Sequence, residues 1–116
     1  MAQMSRTSLL VRCSQLDAQT VHAEALTQHR SVSGYLLNVL ERSMWIEQRF
    51  LSGLTYVMKI AVPASLEART AIHLRCTAEE ADRIREAAEK REASISNFVV
   101  FSLHRQWNAA ERVRNS

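Results

Sequence analysis

Glycine and proline are nearly absent from this chain: its 116 residues include 2 Gly and 1 Pro. So little turn punctuation excludes a collagen-like repeat, a long Pro- and Gly-rich disordered tail and a β-sandwich of many short strands. Cysteine is scarce too. The 2 present, Cys13 and Cys76, have no His or Cys partners at metal-ligand spacing, so neither a zinc site nor a CxxC redox motif is expected, and no cofactor. Long apolar runs are missing. The longest candidate, Leu51 to Val62, is broken by Ser52, Gly53, Thr55 and Lys59 and falls short of the roughly 18 to 20 residues that span a bilayer. The start, Met1-Ala2-Gln3-Met4-Ser5-Arg6, lacks a basic stretch followed by an apolar one, so no secretory signal is expected. These absences lead to the expectation of a cytoplasmic protein with no membrane partner.

What is present is globular: 47% hydrophobic and 23% charged residues. At this length one core is the default, because two independent domains of about 55 residues would each be marginal. The net charge of +3 permits a polyanionic partner without requiring one. Placement of the charges has to decide.

The chain repeats itself. Laying residues 6–44 over residues 69–107 without a gap, 63 positions apart, makes ten of 39 positions identical. Among them are Arg6/Arg69, Arg12/Arg75, Cys13/Cys76, Ser31/Ser94 and Ser33/Ser96. Conservative pairs fall where a fold would demand them: Leu9/Ile72, Val11/Leu74, Val21/Ile84 and Tyr35/Phe98. The expected organisation is repeat 1 at 6–44, a linker at 45–68, repeat 2 at 69–107 and a tail at 108–116.

Each repeat reads as strand, helix, helix. Thr7 to Cys13 and Thr70 to Cys76 alternate with period two, as a half-buried strand does. Thr77-Ala78-Glu79-Glu80 is a capping box that opens a helix, and Ser14-Gln15-Leu16-Asp17 is its weaker copy. Ala18, Val21, Ala25 and Ala81, Ile84, Ala88 form one apolar stripe on each first helix. Ser31 and Ser94 then cap second helices with stripes through Tyr35, Leu36, Val39, Leu40 and Phe98, Val99, Leu103, Trp107. One such unit cannot satisfy a lone strand or bury two stripes, so it needs its twin. The expected fold is mainly α with a two-stranded antiparallel ribbon, an intramolecular pseudo-dimer; one register of that ribbon pairs the strands about Leu10 and His73. That register leaves Cys13 and Cys76 about 20 Å apart, too far for a disulfide. Trp45 and Trp107 are expected to close the core.

The stretch from Thr70 to Glu80, followed by Ser94-Ile95-Ser96-Asn97-Phe98-Val99, resembles the strand, cap and second-helix start of the ribbon-helix-helix family of DNA-binding proteins, whose type members are the Arc and MetJ repressors. Leu9-Leu10-Val11-Arg12-Cys13-Ser14 resembles it more weakly. The likeness spans both repeats, as a tandem ribbon-helix-helix chain similar to the TraY type of conjugation protein. Members commonly carry Gly in the turn between the helices, where this chain has His29-Arg30 and Glu92-Ala93. A left-handed non-Gly residue there costs about 1 kcal/mol.

The resemblance implies that the ribbon enters the major groove of double-stranded DNA. The residue pattern makes this plausible independently, because Arg6, Ser8, Leu10 and Arg12 lie beside Arg69, Ala71, His73 and Arg75 on one acid-free face. Arg can bond guanine O6 and N7, His73 an acceptor on a base edge, and Leu10 or Ala71 a thymine methyl. Leu10 stands where the other copy has His73, and Ser8 where it has Ala71, so an asymmetric DNA site is expected. Ser31, Ser33, Ser94 and Ser96 at the second-helix starts, with Arg30, are expected to hold phosphates. Arg91 and Lys90 would add electrostatic attraction. His22, His29 and His104 have no Asp, Ser or Cys placed to recruit them, so no enzyme activity is expected.

The functions this implies are a transcriptional regulator such as a repressor, or a relaxosome accessory protein that meets a relaxase, bound to the bacterial nucleoid. The alternative is an antitoxin that neutralises a protein toxin and represses its own operon. The apolar linker suggests self-association on adjacent sites.

Overall fold

Alternation in the two repeats becomes two strands in the computed structural model, which describes residues 6–50 and 70–115. They are β1 (Arg6–Cys13) and β2 (Thr70–Thr77). Leu9, Val11 and Cys13 are buried from β1, and Ile72, Leu74 and Cys76 from β2. The strands pair antiparallel with Leu10 opposite His73, Cys13 opposite Thr70 and Thr7 opposite Cys76. This is the arrangement about Leu10 and His73 for which the two cysteines lie far apart. Both cysteines are free and buried, and burial pushes both thiols above their ordinary range.

Four helices follow the same plan: α1 (Gln15–Thr27), α2 (Val32–Phe50), α3 (Ala78–Lys90) and α4 (Ile95–Asn115). Thr77 Oγ1 accepts from the Glu80 amide at 3.1 Å while Glu80 accepts from the Thr77 amide at 2.9 Å. The weaker copy makes half of this box, Ser14 Oγ accepting from the Asp17 amide. Ser31 and Ser94 accept from the amides of Gly34 and Asn97, each at 3.0 Å. All four helix starts thus satisfy an orphan amide with a hydroxyl.

The ends of α1 and α3 match as well. Arg30 donates its amide to the Ala25 carbonyl and His29 to Leu26; Ala93 donates to Ala88 and Glu92 to Glu89. Such paired bonds close a Schellman turn, which needs one left-handed residue. His29, at φ 55°, and Glu92, at φ 53°, fill that position. Both side chains are exposed, so His29→Gly and Glu92→Gly should each raise stability by about 1 kcal/mol, read as a higher midpoint in chemical denaturation.

The apolar stripes meet over the inner face of the ribbon. Val21, Tyr35, Leu36, Leu74, Ile84, Phe98, Val99 and Leu103 are all but inaccessible and belong to one cluster. Trp107 packs against it and donates its indole N–H to the Tyr35 hydroxyl at 2.8 Å. Ser102, where the first copy has Val39, is buried with its hydroxyl unpartnered, a cost of about 1–3 kcal/mol.

Residues 108–115, expected as a tail, continue α4, because Asn-Ala-Ala-Glu-Arg-Val-Arg contains no helix breaker and mostly good helix formers. The apolar linker beyond Phe50, Arg69 and the side chain of Trp45 lie outside the described residues. Among the described residues no helix is long and apolar enough to cross a membrane.

Candidate nucleic-acid interface

Because the ribbon has two strands, each has one unpaired edge whose amides and carbonyls need partners. The second helices supply them. Ser96 Oγ, in the first turn of α4, accepts from the Arg12 amide of β1 at 2.8 Å, and Ser33 Oγ, in the first turn of α2, accepts from the Arg75 amide of β2 at 2.9 Å. The same hydroxyls lie 3.5 Å from the carbonyls of Leu10 and His73, to which they donate. Each edge is therefore fastened to a helix start carried by the other repeat.

This fastening fixes what the outer face displays. Arg6, Ser8, Leu10, Arg12, Ala71, His73 and Arg75 all face outward, as the sequence predicts. Leu10 is 44% exposed, unusual for a leucine at the middle of a strand whose neighbours Leu9 and Val11 are buried. Cross-strand partners on this face are Ser8 with Arg75, Leu10 with His73, and Arg12 with Ala71. The two arginines occupy diagonal corners. Four residues of strand separate Arg75 from the partner of Arg12, about 13 Å along the ribbon. No carboxylate lies on either strand.

The serines divide into two pairs. Ser31 and Ser94 are exposed caps beside the ribbon edges. Ser33 and Ser96 give their hydroxyls to the strand edges instead, a pairing between distant segments that no local pattern in the sequence reveals. What the helix starts still offer an anion is their first backbone amides, beyond the reach of any intrahelical carbonyl. Arg30 is exposed next to Ser31.

Three expectations about neighbouring groups change. Arg91 is not a surface cation: it is buried, donates to the Ala87 carbonyl and lies 5.0 Å from the centre of the Phe98 ring. Burial lowers its pKa from the ordinary guanidinium value, and the charge of Arg105 adds to the effect. Lys90 faces Glu86 one turn back, 3.2 Å away. His104 does have an acid beside it, with Asp17 of α1 3.0 Å from its Nε2. The pair joins α4 to α1 across the repeats, and the His104 ring also stacks at a tilt against Trp107. Glu41, the residue equivalent to His104, makes the matching link to Arg83 of α3 at 3.4 Å. Each link joins a second helix to the first helix of the other repeat.

Among the described residues no cluster of His, Cys, Asp and Glu is placed to hold a metal ion. Compared with models of known protein families, with curated proteins and with solved structures, the chain matches none.

Proposed function

We propose that this chain is a tandem ribbon-helix-helix protein, an intramolecular pseudo-dimer that reads double-stranded DNA by laying its ribbon in the major groove. The observation that carries the reading is the outer ribbon face: Arg6, Arg12, Arg75 and His73 around an exposed Leu10, with no acid. A surface in contact with water alone has no need to project arginines from a two-stranded ribbon whose edges are already held. The major groove is about 12 Å wide and accepts such a ribbon, where Arg is suited to guanine and Leu to a thymine methyl. The serine-capped starts of α2 and α4 flank the ribbon and would fix it against the phosphates through backbone amides.

Spacing gives the reading a geometric consequence. With about 13 Å between them, Arg12 and Arg75 would address bases roughly four steps apart, at about 3.4 Å per step. Because Leu10 faces His73, the two half-sites differ at their centre. Selection of bound duplexes from random DNA should return an asymmetric sequence with two guanines at that separation. A perfectly palindromic product, or no enrichment, would overturn the reading. Mapping the selected sequence onto promoter or transfer-origin DNA then assigns the role of regulator or relaxosome accessory protein.

A further inference from the structure

At the middle of the ribbon's outer face His73 stands opposite Leu10, and both are exposed. Folding does not require an imidazole there, because the equivalent residue of the first repeat is that leucine. Along the ribbon His73 lies midway between two arginines: Arg75 is two residues on, and Arg12 pairs with Ala71, two residues back. Each is about 7 Å away along the strand. Arginine keeps its charge at every pH a cell reaches, whereas histidine changes charge between about pH 5 and 8. Among the described residues of this face, only His73 can be switched in that range.

The groups around the ring are cations or neutral. β1 faces it with Ser8, Leu10 and Arg12, and β2 with Ala71 and Arg75. Helices α2 and α4, which hold the strand edges, have no acid in their first turns; His29 and Arg30 precede α2, and Glu92 precedes α4. Acids of the first helices act on the inner side instead: Asp17 and Glu80 add to burial in raising the thiols of Cys13 and Cys76. Each cysteine is about 10 Å along its strand from the ribbon's middle. A bound duplex would bring what this surround lacks, a row of phosphates and an acceptor edge, so binding and proton uptake at the ring become linked.

We propose that His73 reads a guanine at the centre of the DNA site as an imidazolium, so that recognition of this one base pair follows pH while recognition by the arginines does not. The inference rests on the proposed ribbon reading of DNA. A protonated ring donates from both nitrogens and accepts nothing, which suits guanine, whose O6 and N7 are both acceptors. The neutral ring keeps one donor and one acceptor, and adenine, with an acceptor N7 beside a donor amino group, then suits it as well. Leu10, across the ribbon, meets only an apolar group such as a thymine methyl, at any pH.

Selection of bound duplexes from random DNA at about pH 6 and at about pH 8, either side of the ordinary histidine midpoint, tests this at one fixed salt concentration. Both selections should return the two guanines assigned to Arg12 and Arg75. The acid selection alone should add a third between them, roughly two base steps from each. Affinity for that sequence should rise about tenfold from the alkaline to the acid condition, and replacing the central G·C pair by A·T should abolish the rise. His73→Gln should bind equally at both, with an unchanged circular dichroism spectrum because the side chain is exposed. His29→Gln, in the turn before α2, should keep the rise. A wild-type chain that selects one sequence with one affinity at both pH values would overturn the proposal and leave the ribbon reading standing. So would a rise that survives His73→Gln or vanishes with His29→Gln. No enriched sequence at either pH would overturn both.

Discussion

Replacing Arg12 and Arg75 together by alanine should lower affinity for the selected DNA sequence by about 30-fold to 10⁴-fold, since each bidentate contact to guanine discriminates by about 1–3 kcal/mol. The two losses should be nearly additive, because the side chains are far apart and share no described contact. The fold should not change: Ser96 and Ser33 receive the backbone amides of these residues, which alanine retains. Thermal denaturation of the variant, equal to that of the parent, checks this. Salt dependence then separates base readout from phosphate binding. Contacts to bases leave the slope of log K against log salt close to the parent's, whereas loss of two phosphate contacts reduces it by about 2. Unchanged specific affinity in the double variant would remove the ribbon face from recognition.

Phe98→Ala should cost about 3–5 kcal/mol, a large share of the 5–15 kcal/mol that holds a domain of this size. Phe98 is 1% exposed, and its ring also faces the buried guanidinium of Arg91. Removing it leaves both a cavity and a buried cation without its aromatic neighbour. The denaturation midpoint should fall accordingly, with an unchanged slope if unfolding remains two-state. The more discriminating substitution is Phe98→Tyr. The equivalent residue in the first repeat is Tyr35, whose hydroxyl accepts from Trp107. The residue equivalent to Trp107 is Met44, which has no donor. The added hydroxyl would be buried unpartnered and should cost about 1–3 kcal/mol, although the other half of the core accepts the same side chain. Equivalent core positions of the two repeats thus hold different residues.

Much of this architecture is legible in the sequence because it rests on local rules applied twice. Alternation defines the inner faces of β1 and β2, and hydroxyls before acidic residues mark the caps of α1 and α3; the repeat is compatible with several registers, of which the strands adopt the one with Leu10 opposite His73. The left-handed turns at His29 and Glu92 are predicted as positions, although side chains that favour them are lacking. What is not legible depends on distances between segments that only the assembled core sets. Ser33 and Ser96 look like anion ligands from their place at a helix start, yet an unpaired strand edge comes close enough to claim their hydroxyls. Arg91 sits one residue from Lys90, and only the packing of Phe98 shows that one is buried and the other exposed. Asp17 and His104 lie in different repeats, so no motif connects them. The outward residues of the ribbon are the most legible part of the candidate site, because a strand's period of two leaves little freedom.

Pairing β1 with β2 also has a consequence for biosynthesis. Paired residues lie roughly 60 to 70 positions apart in the chain, so β1 leaves the ribosome long before the strand that completes it. At about 5–20 residues per second, Leu9, Val11 and Cys13 would wait about 3–14 s without their partner strand. Through that interval the first repeat has apolar stripes on α1 and α2 and only half of a ribbon. The time taken to translate the residues between the strands therefore sets how long the edge of β1 goes without the strand that pairs with it.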